Sequence, residues 1–326
     1  MSIPEAASVG PRWRAVRQGA GYCAAGTMSL YLLVKVIWVA RLLLGGGSWE
    51  AETQVADWAL LNALTVVMAA AGVALGLSLA RPWGMRIPAP LLLLPAWTAA
   101  GFLVPMLPYM VVSALLGDGN AEEGARAVSV AEPAAAGWEM AFLAIGFAGM
   151  GLGLAVGLPI YLRERWPWAF LGRVGDLPRV RPTWRANAVR AALAVAAGLG
   201  VMWSFWAVGG TVGLRADLGL NGRLLAATSG VWAFAAAGGV CVLTARVARR
   251  LPVWFPMAVA FAGSGFLTAW SGWKLGISAF GPDGFAPREH LPVAFAGNIL
   301  AVAAGVVMVG AVLQVYRSRA GAQRAS

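Results

Sequence analysis

The sequence predicts an all-α polytopic membrane protein of eight transmembrane helices, arranged as two parallel four-helix repeats. Three observations carry this reading: scarce charge, long apolar blocks, and the side on which the arginines fall. Of the 326 residues, 60% are hydrophobic and only 12% are charged, with a mean hydropathy of +0.71. A water-soluble domain carries about 25% charged residues, because its surface must be solvated. Half that supply cannot cover a globule of this length, whereas lipid accepts an apolar exterior. The apolar residues also come in blocks long enough to cross a hydrocarbon core of about 30 Å as helix.

The first block follows Arg12, Arg14 and Arg17 and runs to about Leu44. That is too long for a cleavable secretory core, so it reads as a retained span. Spans are expected at about 20–44, 57–80, 90–115, 138–162, 189–214, 224–246, 253–279 and 292–316. Breakers separate them, among them Gly45-Gly46-Gly47, Arg81-Pro82-Trp83-Gly84, Pro178, Pro252 and Gly281-Pro282-Asp283-Gly284. Pro95, Pro105 and Pro256 fall inside spans, where neighbouring helices can satisfy the freed carbonyls.

Charge then sorts by side. With the N-terminus in the cytoplasm, the segments on that side hold most of the 25 Lys and Arg and only Glu5, Glu164 and Asp176 of the 14 acids. This is the positive-inside bias, which acts through Lys and Arg near span ends. It places both termini in the cytoplasm, in a plasma membrane, and accounts for the net charge of +11. A nucleic-acid partner is not expected, because the arginines follow the spans instead of forming one basic face. Tryptophans such as Trp13, Trp83, Trp138, Trp166 and Trp254 stand near span ends as interfacial anchors. The two cysteines, Cys23 and Cys241, make neither a disulfide nor a metal site expected.

A shift of about 164 residues aligns the chain with itself. Arg86-Ile87-Pro88 meets Arg250-Leu251-Pro252, Gly101-Phe102-Leu103 meets Gly265-Phe266-Leu267, and Leu60-Leu61 meets Leu224-Leu225. A slightly larger shift earlier in the chain aligns Trp38 with Trp206 and Lys35 with Trp203. A unit of four spans begins and ends on one side, so its copy keeps the same orientation, related by an axis along the membrane normal. The expected divisions are a first repeat over 1–162, an Arg- and Pro-rich cytoplasmic linker over 163–188, and a second repeat over 189–326.

The pentapeptide Trp206-Ala207-Val208-Gly209-Gly210 resembles the signature of a family of small four-span actinobacterial membrane proteins of unknown function. In that family a His or Lys stands three residues before Trp-Ala-x-Gly-Gly in the first span. Lys35 precedes Trp38 by three, but Val39-Ala40-Arg41 replaces the rest of the motif, and Trp203 takes the Lys position in the second half. The resemblance implies a four-helix unit in tandem and brings no activity with it.

Lys35 is the most informative polar residue. At about 1.5 Å per residue it lies about 15 Å below the outer end of span one. A lysine at that depth costs about 2.5–3.5 kcal/mol on insertion scales, so it should face the bundle and find a partner. Tyr31, Lys35 and Trp38 share one helical face. Two expectations stand for the lysine: an ion pair with an acid at another helix's outer end, or a functional cation that takes protons or grips an anionic or carbonyl-bearing part of a small lipophilic ligand. In the second case Lys35, Tyr31, Trp38, Trp203 and Trp206 are the ligand-binding set.

Asp57, Glu139 and Asp217 stand at or just inside outer helix ends. Asp57 and Glu139 would complement the positive ends of the helices they open. In the catalytic alternative one of these three is the proton donor of an isoprenoid cyclase, with tryptophan walls steadying carbocations. A secondary transporter is the third reading, supported by the repeats and opposed by the lack of carboxylates deep in a span. Gly149, Gly153 and Gly157 form a small-residue stripe suited to close helix packing, and Asn62 and Asn298 suit interhelical hydrogen bonds. No nucleotide loop or metal motif is present, and no cofactor is expected. The expected partners are the lipid bilayer and a small lipophilic molecule.

Overall fold

The computed structural model describes residues 9–44, 52–116, 137–177, 184–280 and 288–325. Its helices are α1 (Pro11–Leu43), α2 (Glu52–Ala80), α3 (Ala89–Leu103), α4 (Met106–Leu115), α5 (Gly137–Arg165), α6 (Trp184–Ala207), α7 (Leu220–Ala245), α8 (Trp254–Phe280) and α9 (Leu291–Ala325). Among the described residues the only extended pairings are two isolated bridges, Arg173 with Pro252 and Leu214 with Glu289.

Seven helices are long and apolar enough to cross a membrane, α3 and α4 counting as one unit over Ala89–Leu115. That unit is broken at Val104-Pro105, where proline supplies no backbone N–H to the turn before it. The remaining long helix, α8, has the length to cross. Its Pro256, Ser264, Ser271, Lys274 and repeated glycines dilute the apolar average. These residues are tolerated because α8 is packed on several sides, by α3, α7 and α9.

Several boundaries differ from the sequence expectation; α2 starts at 52 instead of 57, and α9 runs to 325 instead of 316. α1 starts nine residues before the expected 20, with Gly10 as N-cap and Pro11 at the first helical position. α6 covers 184–207 instead of 189–214. Its early stop has a local cause: Gly209 and Gly213 adopt φ of 102° and 88°, which side chains other than glycine rarely take. The Trp206 indole donates to the Val212 carbonyl at 2.9 Å and pins the turn. The Trp-Ala-x-Gly-Gly segment is therefore a helix stop, with its tryptophan as the clasp.

In the first half, α1 is the central helix, packed along both α2 and α5. The small-residue stripe makes the second contact possible. A Cβ at Gly153 would lie 2.6 Å from Ala24 Cβ, and one at Gly149 would run into Thr27. The α1–α2 contact is equally close, a Cβ at Gly76 meeting the Ala25 backbone at 2.7 Å. In the second half α6 packs on α7 and α9, and α8 fills the space between α7 and α9. The halves meet chiefly through α3 and α8. Gly101 and Gly265 lie backbone to backbone there, with no room for a Cβ at Gly101. Trp97 Nε1 donates to Ser264 Oγ at 3.1 Å across the same seam, and Trp270 Nε1 to the Phe102 carbonyl at 3.1 Å.

One end of the bundle is tied by arginines that donate to turn carbonyls. Arg17 is buried, pairs with Glu164 at 3.0 Å and donates to the Leu79 carbonyl. Tyr161 donates to the Gly84 carbonyl at 2.6 Å and accepts from Arg165 at 2.8 Å. Arg246 reaches the Gly175 carbonyl and Arg319 that of Leu171, so the segment following α5 is held against the second half.

Candidate functional site

α3 leans on α8 more than on α2, and the space left between α2 and α3 is a cavity of about 250 Å³. Its walls are almost wholly apolar: Met28 from α1, Leu75 from α2, Pro95 and Phe102 from α3, Phe147 and Met150 from α5, with Trp273 of α8 closing one side. Met68 and Leu94, both on its rim, are exposed on the apolar perimeter of the bundle. The cavity therefore opens sideways between α2 and α3.

Its polar groups are few. Tyr31 and Thr65 line it, with their hydroxyls side by side. Thr65 Oγ1 in turn donates to the Asn62 carbonyl at 2.8 Å. Phe147 sets the Tyr31 ring by an edge-on contact at 5.3 Å between centroids. Thr98 also lines the cavity but spends its hydroxyl on the Leu94 carbonyl at 3.0 Å.

Behind this pair sits Lys35, 0% exposed. Its ammonium donates to Asn62 Oδ1 at 2.9 Å and lies 4.5 Å from the centroid of the Trp38 ring and 5.7 Å from that of Tyr31. A carbonyl acceptor and two aromatic faces replace part of the water the cation has lost. Trp38 is buried too, and its Nε1 has no hydrogen-bond partner among the described residues. Lys35, Tyr31 and Trp38 thus share a face as the spacing implied, and Asn62 is an interhelical partner of the lysine. Lys35 and Trp38 flank the cavity and are not among its lining residues.

Glu139 opens α5 and is 1% exposed, with Oε1 accepting from Arg41 Nη1 at 2.9 Å. Arg41 is half exposed and neutralises a buried carboxylate. Residues 41 and 139 are 98 apart in sequence, and nothing local links them. Asp217 is exposed in the turn between α6 and α7. The side chain of Asp57 lies outside the described residues. Neither Glu139 nor Asp217 lines the cavity.

The expected ligand-binding set divides. Tyr31, Lys35 and Trp38 belong to the core of the first half, whereas Trp203 and Trp206 belong to the core of the second. Trp203 and Trp206 line a second cavity of about 260 Å³ with Ser229, Asn298 and Lys274. The signal missed from sequence was the departure of α3 from α2, which the Gly101–Gly265 contact permits. Among the described residues no cluster of His, Cys, Asp or Glu could hold a metal ion. No family model, curated protein or solved structure matches the chain.

Proposed function

We propose that this is an integral membrane protein of eight spans that binds a small lipophilic molecule bearing one hydroxyl or carbonyl group in the cavity between α2 and α3. The observation that carries the reading is the pairing of apolar walls with a single interior polar end, the Tyr31–Thr65 hydroxyl pair. Ligand sites are typically apolar concavities with few placed polar groups, of about 300–1,000 Å³. At about 250 Å³ this one suits a small occupant. The sideways opening at Met68 and Leu94 would admit such a molecule from the hydrocarbon phase.

α8 also crosses, its length of 27 residues being sufficient, and brings the spans to eight. The two halves are parallel repeats. Support comes from Gly101 and Gly265, which correspond in sequence and meet each other at the seam, as residues do beside a twofold axis. Both termini are cytoplasmic, a side supported by the arginine-tied end of the bundle. The resemblance to the four-span actinobacterial family fits a tandem unit and leaves the ligand open.

Purification in mild detergent, solvent extraction and mass spectrometry test the binding. The wild type should carry a lipophile that Ala69→Phe, which fills the cavity, does not. Tyr31→Phe should retain less of it, and all three proteins should elute as one sharp peak in size exclusion. Identical extracts from wild type and a well-folded Ala69→Phe would overturn the proposal.

A further inference from the structure

The second cavity is a different kind of place. It lies where the C-terminal ends of α6 and α8 meet the N-terminal ends of α7 and α9, and it takes in Trp203, Trp206, Trp270 and Trp273. Where the first half has Lys35 and Asn62, the corresponding residues here are Trp203 and Ala226. The interior cation and its amide are gone, and an aromatic chamber stands instead. Charge has moved to the mouth, where Lys274, Arg288 and Glu289 line the cavity. Counting +1 for each base and −1 for the acid leaves a net +1 among these three.

The rim is built, not loose. Segment 288–290 is bridged to 213–215 by the Leu214–Glu289 pairing. Arg215 N donates to the Arg288 carbonyl at 2.8 Å and His290 N to the Gly213 carbonyl at 2.9 Å. Lys274 Nζ stands 3.9 Å from Glu289 Oε1, a long pair that leaves room for a second acceptor. Arg288 is exposed and forms no ion pair among the described residues. Under the topology proposed above, Arg215, Arg223, Lys274 and Arg288 are all exceptions to the positive-inside bias, and all four stand in this region. Orientation does not explain them.

The geometry points to this cavity as a second binding site, for a single-chain amphiphile with an anionic head: the chain among the tryptophans, the carboxylate or phosphate between Lys274 and Arg288. The depth fits a short chain. Asn298 and Ser229 line the cavity seven and nine residues into α9 and α7, about 10 Å and 13 Å from their starts at about 1.5 Å per residue. Trp273 lines both cavities, so one indole is their common wall. The two sites are nevertheless separable by substitution.

The test uses the full chain in detergent and a photoactivatable analogue of laurate, with labelled peptides mapped by mass spectrometry. Labelling of α6 and α8 peptides is expected, competed by laurate and by lauryl phosphate, and not by lauryl alcohol or inorganic phosphate. The double variant Lys274→Gln/Arg288→Gln should weaken laurate at least about tenfold, the loss of charge-assisted contacts to the head. Ala226→Phe should abolish the α6 and α8 labelling, whereas Ala69→Phe in the first cavity should leave it intact. A melting curve for each variant establishes that it is folded. Equal competition by lauryl alcohol, undiminished labelling in the folded double variant, or labels confined to α2 and α3 would each overturn the assignment.

Discussion

A buried charge is judged by what it touches. Lys35 is inaccessible and its ammonium donates to Asn62 at 2.9 Å. Replacing the lysine with methionine removes the cation together with its need for an acceptor, and the straight apolar chain keeps most of the volume. Replacing Asn62 with leucine leaves the cation and removes a carbonyl that satisfied it. A hydrogen bond to a charged group contributes about 1.5–3 kcal/mol, and a buried charge that loses an acceptor costs more than an absent one. Asn62→Leu should therefore lower the unfolding temperature in detergent more than Lys35→Met does. The double variant should recover most of the loss. The reverse order of the two single variants would show that Lys35 takes its stability from elsewhere. The same logic explains why half-exposed Arg41 matters: its partner Glu139 is a buried carboxylate.

Helix packing in this chain is decided by small residues, because lipid tails offer helices no hydrophobic reason to associate. Gly153 tests the point. A Cβ there would stand 2.6 Å from Ala24 Cβ and 2.7 Å from the Ala20 carbonyl, so α1 and α5 would have to separate. On α6, a Cβ at Gly198 meets nothing within 4 Å. Gly153→Leu should destabilise the protein by about 1–3 kcal/mol, the usual cost of overpacking, while Gly198→Leu stays near neutral in the same thermal assay. Equal effects would mean the stripe is not the contact that holds the first half together. This level of organisation was largely legible in the sequence. Apolar block length reports helix existence directly, and the spacing of Gly149, Gly153 and Gly157 reports a close-packed face. Helix ends were less legible. The stop of α6 depends on φ at Gly209 and Gly213 and on the Trp206–Val212 hydrogen bond, and these glycines sit in an apolar run that reads as span. The site was less legible still. A cavity is the space helices fail to fill, and it was set by α3 leaning across to α8 at Gly101 and Gly265. Pairs such as Arg41 with Glu139 leave no trace at any local spacing.

At the scale of the whole molecule, orientation is a sum of many small charge terms, and those terms are lopsided. The end of the bundle holding Arg17, Arg165, Arg246 and Arg319 uses its arginines to satisfy carbonyls of the turns around it. Such a guanidinium serves twice: it completes a turn, and it resists translocation during insertion. The opposite end holds the buried Glu139 with Arg41 beside it, the exposed Asp217, and Lys274 and Arg288 at the second cavity. If insertion follows the lysine and arginine bias, the arginine-tied end stays in the cytoplasm. Reporters fused after residue 326 and within 163–190 should then report cytoplasm, and reporters inserted near Asn120 and Asp283 should report the exterior. The Asp283 insertion is the sharper measurement, because the segment it sits in follows α8, the helix that composition alone leaves out of the seven. Were α8 to re-enter the cytoplasmic side instead of crossing, Asp283 would read as cytoplasmic, and α9, which still crosses, would carry residue 326 to the exterior. Those two signals move together, so a cytoplasmic Asp283 with an external tail would replace the eight-span arrangement by seven. An external Asp283 with a cytoplasmic tail requires α8 to cross, lined on both sides by α7 and α9 and meeting α3 at the Gly101–Gly265 contact.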